Sequence, residues 1–395
     1  MEAFYRTHNY LLTHLTTPLV RRGLVDEINW DDRLIGIKGS RGVGKTTFLL
    51  SYAKEFFGAD NRECLYINLN HFFFTEQTLV AFAEEFRRQG GKTLLIDQVF
   101  KYPDWSRELR KCYDRFPDLK IVFTGPSVMR LKEENPDLAN KVSVYYLRGF
   151  SFREYLNLTN NKDFRIYTLA EIIDNHKDIA SEISKNLGNK LLKDFKGYLH
   201  HGFYPFYLEK RNYSENLLKT INMTLEVDVL FIRQIEQRYL SKIRKLLYLL
   251  SLEAPCSPNV SQLSKDLKIS RATVMNYIKY LKDARLVNML YDSGVDFPKK
   301  PALVYAYNTN LQCVINSKPL DKQTEYKTFF YNQIQKDSDV YKGKKQADFQ
   351  IHNNLRFCIP GNRSFRNDKN LYYIVNEPET EEENVIPLWL FGFLY

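Results

Sequence analysis

A chain of 395 residues has room for two to four domains, and 44% hydrophobic with 26% charged residues is an ordinary globular composition. It holds no run of about 20 apolar residues, which excludes a membrane-spanning helix, and Met1-Glu2-Ala3-Phe4-Tyr5-Arg6 is not expected to be a signal peptide. The net charge of +10 favours anionic partners, and five scattered cysteines without a C-x-x-C pair read as reduced, cytosolic thiols, not disulfides or zinc ligands.

Along the first 150 residues, apolar runs alternate with helical patterns. The predicted strands are Leu34–Lys38, Cys64–Leu69, Thr93–Ile96, Lys120–Thr124 and Val142–Leu147. Helical stretches lie near Thr46–Phe57, Glu76–Gln89 and Trp105–Arg115. Such alternation predicts an α/β fold with a parallel sheet covered on both faces, and ligands outside the carboxyl ends of its strands. Gly39-Ser40-Arg41-Gly42-Val43-Gly44-Lys45-Thr46 fits G-x-x-x-x-G-K-[ST] between Leu34-Ile35-Gly36-Ile37 and Thr47-Phe48-Leu49-Leu50. Strand, loop and helix in that order make a phosphate loop. Glycines let successive N–H groups converge on phosphate oxygens, and the helix start adds positive potential. Lys45 is expected on the β- and γ-phosphates of ATP, and the Thr46 hydroxyl on Mg²⁺.

Leu94-Leu95-Ile96-Asp97 is a buried strand ending in a carboxylate that can hold Mg²⁺. Gln98 follows, where many ATPases carry a glutamate. An amide orients water but takes no proton, and losing a general base costs about 10²–10⁴-fold in rate. Thr124 and Ser127, around the Gly125-Pro126 turn, are candidate γ-phosphate sensors; a plain strand-and-turn is the competing reading. Arg148, at the exit of the last strand, is a further candidate contact for phosphate or a neighbouring subunit, with a solvated arginine as the default.

From Ser151 to about Tyr239 the pattern is helical, opening on a capping box, Ser151 and Glu154. Next come a helix ending at Leu247–Leu252, a second at Val260–Leu267, a turn at Lys268-Ile269-Ser270 and a third at Arg271–Ala284. Two strands, Val287–Tyr291 and Ala302–Tyr307, complete a helix-turn-helix with a wing. Arg271, Asn276, Lys279 and Lys282 of the third helix are the candidate nucleic-acid contacts; packing against the ATPase core is the alternative. Ile386–Tyr395 reads as a buried terminal strand.

These segments resemble the prokaryotic AAA+/STAND-type P-loop ATPases. The resemblance rests on Gly-Ser-Arg-Gly-Val-Gly-Lys-Thr-Thr, on Ile-Asp-Gln-Val-Phe-Lys-Tyr-Pro-Asp-Trp, on Leu-Lys-Ile-Val-Phe-Thr-Gly-Pro-Ser and on Leu-Arg-Gly-Phe-Ser-Phe-Arg-Glu-Tyr. It implies an ATPase core (1–150), a helical lid (151–238), a winged helix (239–310) and a degenerate restriction-endonuclease-like domain (311–395). It carries the phosphate loop onto Gly39 through Thr47 and the acidic motif onto Asp97, and puts Pro205, in Gly202-Phe203-Tyr204-Pro205, near adenine. Gln98 in place of Glu, Phe100 in place of His and Pro126 in place of a small hydroxyl residue depart from the family pattern. For a nuclease-like core, Glu325 and Asp348 fit the first two acidic places, but Arg356-Phe357-Cys358-Ile359-Pro360-Gly361 offers no Glu-x-Lys. The expectation is a cytoplasmic, ATP- and Mg²⁺-binding slow switch with Lys45, Asp97 and Gln98 at its centre and no membrane contact. Homo-oligomer or protein partners are open. The alternative is an ATP-regulated DNA-binding regulator or defence component.

Overall fold

In the computed structural model, which describes residues 1–15, 20–209, 212–316, 319–351, 355–361 and 370–395, the apolar runs between Leu34 and Tyr146 become one parallel sheet. Its strands are β1 (Leu34–Gly39), β2 (Cys64–Asn68), β3 (Thr93–Asp97), β4 (Lys120–Pro126) and β5 (Ser143–Tyr146), in the order β2-β3-β4-β1-β5. All five residues of β3 are buried, as a central strand covered on both faces requires. The unit's helices are α1 (Glu2–Thr13), α2 (Leu24–Glu27), α3 (Lys45–Phe56), α4 (Leu79–Arg88) and α5 (Trp105–Arg115). α4 begins where the Thr78 side chain accepts the Ala81 N–H, and it buries Leu79, Val80, Phe82, Ala83 and Phe86. α1 packs on β2 and α3.

Two compact units emerge, residues 1–149 and 150–395. The expected divisions at 238 and 310 lie inside the second. That unit opens with α6 (Phe152–Asn160), α7 (Leu169–Leu187), α8 (Lys190–His201) and α9 (Tyr213–Met223). The Ser151–Glu154 capping box is present, and Thr168 with Glu171 makes another at the start of α7. A π-helical stretch, Thr224–Phe231, leads toward α10 (Leu240–Glu253), α11 (Val260–Leu267) and α12 (Arg271–Asp283). Ser270 caps α12 by accepting the Thr273 N–H at 3.0 Å. Antiparallel β6 (Val287–Leu290) and β7 (Leu303–Ala306) follow, then α13 (Thr309–Ile315) and α14 (Lys322–Ile334).

The last sheet is built of short strands: β8 (Tyr341–Lys342), β9 (Phe349–Gln350), β10 (Arg356–Cys358), β11 (Leu371–Val375) and β12 (Val385–Pro387). The tail is buried, but it is not one strand. β12 stops at Pro387, which has no N–H for a ladder, and Leu388–Phe393 coils into a 3₁₀ helix. There Gly392 passes so near α6 that a Cβ would lie 2.4 Å from the Phe152 Cβ.

Candidate nucleotide-binding site

The phosphate loop needs its glycines for distinct reasons. At Gly39, buried at the end of β1, a Cβ would lie 2.5 Å from the Leu147 carbonyl oxygen. Gly42 and Gly44 sit at φ 83° and 91°, where side chains are strained. Gly44 then releases the chain into α3 at Lys45. The Lys45 Nζ donates to the carbonyls of Gly39 at 2.9 Å and Ser40 at 2.8 Å, so the ammonium lies across the loop mouth. Ser40 is buried, Arg41 half-buried, and Thr46 and Thr47 are exposed at the helix start.

Behind the loop lies a residue that no motif announced. Arg22 is buried, and its guanidinium donates to the Val43 carbonyl at 3.0 Å, to Arg148 O at 2.6 Å and to Gly149 O at 3.2 Å. In a trans peptide, C=O and N–H point to opposite sides. Holding the Val43 carbonyl therefore turns the Gly44 N–H away from Arg22. Arg148 itself is buried, against the solvated default, and its backbone shares that anchor.

Asp97 ends β3 and is 2% exposed. Its Oδ2 accepts from the Thr46 hydroxyl at 2.6 Å and the Tyr66 hydroxyl at 3.0 Å. Its Oδ1 accepts from the Thr124 hydroxyl and from the Gln98 N–H at 3.1 Å. Sheet order explains this convergence, because β2 and β4 flank β3 and bring Tyr66 and Thr124 to it from either side. Four donors answer the roughly four lone-pair positions of one carboxylate. Burial, and then the Asp97 charge, drive the Tyr66 hydroxyl well above its ordinary range, so it stays a donor. The Tyr66 N–H is held in turn by His8 Nδ1 at 3.0 Å. Gln98 sits at φ 55°, a left-handed conformation that costs a non-glycine residue on the order of 1–3 kcal/mol. Its N–H also lies 3.2 Å from the Thr124 hydroxyl. Ser127, just past β4, is buried.

The remaining candidates lie in the second unit. Pro205 opens a 3₁₀ turn, Pro205–Glu209, next to Phe203, whose N–H donates to Asn310 Oδ1 at 2.9 Å. On α12, Arg271 and Asn276 are exposed, Lys282 is half-buried, and the Lys279 ammonium is held by Asp283 at 3.0 Å. Glu325 lies on a helix, because Asp321 caps α14 through the Thr324 N–H; burial pushes its carboxyl up. Asp348 is taken by Lys327 at 2.6 Å and by the Ile359 N–H at 2.8 Å. Among the described residues, no group of three or more His, Cys, Asp or Glu is placed to hold a metal ion.

Residues 31–156 match the family model described as AAA domain. The N-terminal unit thus carries an AAA domain on a P-loop NTPase fold. Residues 192–304, outside this AAA+ domain, match a domain of unknown function (DUF8612). An uncharacterized protein of Methanocaldococcus jannaschii, MJ1637, is 27% identical over 318 residues, 73% of this chain and 66% of the relative. A second, MJ1544, is 24% identical over 275 residues, 64% of this chain and 55% of the relative. The chain thus spans less than two thirds of either relative's length. Among solved structures, Aeropyrum pernix ORC1 in complex with DNA matches at TM-score 0.29 and 11% identity, over 80% of this chain and 92% of that one. C. elegans PCH-2 matches at TM-score 0.25 and 16% identity, over 72% and 66%. At such TM-scores neither likeness bears on function. No helix among the described residues is long and apolar enough to cross a membrane.

Proposed function

We propose that the AAA+ domain binds ATP with Mg²⁺ and hydrolyses it slowly, so that the bound nucleotide acts as a long-lived, STAND-type switch in the cytoplasm. The observation that carries this reading is the 2.6 Å contact between the Thr46 hydroxyl and Asp97 beside a loop crossed by the Lys45 ammonium. A hydroxyl and a carboxylate are the hard oxygen donors Mg²⁺ takes alongside phosphates, so Thr46 and Asp97 would hold the ion, which neutralises phosphate charge when bound.

Lys45 turns from loop carbonyls to phosphate oxygens. The N–H groups of Gly42, Val43, Gly44 and Lys45 supply the cradle. Thr124 touches both Asp97 and the Gln98 N–H, which suits a sensor of the nucleotide's state. Gln98 orients water without accepting its proton, and this sets the slow rate. The family resemblance assigns Pro205 to adenine. A switch acts only through contacts that differ between nucleotide states, and Arg148 and Gly149, tied to the loop through Arg22, stand where the AAA+ domain hands over to the second unit.

Calorimetry with Mg-ATP and Mg-ADP tests the reading. Uptake is expected by the parent protein and not by Lys45→Ala. Absence of uptake by both, or turnover at about 1 s⁻¹ or faster, would overturn it.

A further inference from the structure

The second unit holds an open cleft of about 380 Å³ that the nucleotide site does not use. Its walls are the first turns of α11 (Val260, Ser261) and α12 (Arg271, Ala272, Met275, Asn276) and the loop between β6 and β7 (Phe297, Pro298, Lys300). The lining divides into two kinds of surface. Val260, Ala272, Met275, Phe297 and Pro298 are apolar, while Arg271, Asn276 and Lys300 are polar and exposed. None of those three side chains makes a hydrogen bond or ion pair with another described residue. Lys279 differs, since Asp283 already holds it. The stretch from residue 259 to 300 carries eight Lys or Arg against four Asp.

We propose that this cleft binds an unpaired nucleotide, with the base against Phe297, Met275 and Pro298 and the phosphate on Arg271 and Lys300. Each part of the ligand has its counterpart. A base offers a flat apolar face to an aromatic ring, a donor–acceptor edge to an amide such as Asn276, and an anion to a guanidinium or ammonium. The volume lies within the ligand-site range of about 300–1,000 Å³. A paired base cannot turn its face into the cleft, because stacking covers it. Past Asn276, α12 has no fully exposed residue, so its first turns offer the most accessible surface to nucleic acid. The same chemistry comes from a free nucleotide or from single-stranded nucleic acid, and the experiment separates them.

The test is fluorescence anisotropy on the full chain carrying Lys45→Ala, which removes uptake at the phosphate loop. The probes are a labelled 12-nucleotide single strand, its duplex, and adenosine monophosphate as competitor. The single strand is expected to bind more tightly than the duplex. Raising salt should weaken it steeply, with a log–log slope of about −0.7 per phosphate contact. Phe297→Ala should weaken it at least about fivefold through lost stacking. Lys300→Glu, on an exposed side chain that cannot perturb folding through burial, should weaken it comparably and flatten the salt slope. Displacement of the strand by millimolar monophosphate assigns the cleft to a single nucleotide, and persistence assigns it to a strand. Tighter binding of the duplex, a strand that does not bind, or strand affinity unchanged by both Phe297→Ala and Lys300→Glu would overturn the proposal. Because Lys45→Ala is already present, these outcomes are separate from the fate of the ATP reading.

Discussion

The sharpest expected pH effect comes from His8, which is fully buried on α1 with its Nδ1 accepting the Tyr66 N–H at 3.0 Å. This bond fixes the neutral imidazole with its proton on Nε2, an atom with no hydrogen-bond partner among the described residues. Burial pushes the group from 6.5 down to about 4. Charging it would place a second proton on Nδ1, break the bond to β2 and leave a cation in the core. The unfolded chain accepts that proton near pH 6.5 and the folded protein resists it until about pH 4. Stability is therefore full above pH 6.5 and falls as pH drops toward 4. From these two values, linkage gives a loss of about 2 kcal/mol between about pH 7.5 and about pH 5. Urea unfolding followed by tryptophan fluorescence measures it. A Trp389→Phe background leaves Trp30 and Trp105 to report the N-terminal unit alone. His8→Leu strands the Tyr66 N–H and costs about 1–3 kcal/mol near neutral pH, where the parent imidazole is uncharged in the folded state. It also removes the titration, so its stability loss on acidification should be smaller than the parent's by about 2 kcal/mol. Equal losses in the two proteins would refute the reasoning.

Three further outcomes are expected. Gln98→Glu restores a proton acceptor next to Asp97 and should raise phosphate release from ATP by about 10²-fold or more; a rate that stays put would show that the amide is not what limits hydrolysis. Arg22→Gln keeps a donor but cannot span Val43, Arg148 and Gly149, so calorimetry should find Mg-ATP affinity reduced about tenfold, which corresponds to about 1.4 kcal/mol. Gly39→Ala drives a methyl to 2.5 Å from the Leu147 carbonyl, and thermal unfolding should register a loss of about 1–3 kcal/mol, with no loss if β1 and β5 can separate freely.

Much of the AAA+ domain was legible because its signals are local. The loop from Gly39 to Thr46 is one contiguous motif, and Asp97 is marked by the apolar run before it. Arg22, Tyr66 and His8 were not legible. Each acts across the fold, on partners between 21 and 127 positions away in the chain, and nothing in its neighbourhood sets it apart. Tyr66 sits in an apolar strand and reads as core, which most of its ring is. The helices α11 and α12 and the strands β6 and β7 fall where their caps and apolar spacing place them. The last sheet was harder, because β8, β9 and β10 hold two or three residues each, too few for alternation to show. Glu325 fits the first acidic place of a nuclease-like core by its order in the chain, but Asp321 starts a helix there. The commitment of Lys279 to Asp283 is an i,i+4 pair, visible in the spacing, yet the residue reads equally as a free cation.

The burial of Leu388–Phe393 against the start of the second unit bears on how this protein is made. Phe393 meets the ring of Phe152, and its carbonyl accepts the Tyr167 N–H at 3.0 Å. A nascent chain emerging from the ribosome can assemble the AAA+ sheet early, since its strands all precede residue 147. The second unit waits for residues made more than 200 positions after its first helix, so its core stays incomplete, with apolar surface open, through most of synthesis. Trimming a few residues from the tail would unseat α6, the helix farthest from it in the unit's sequence.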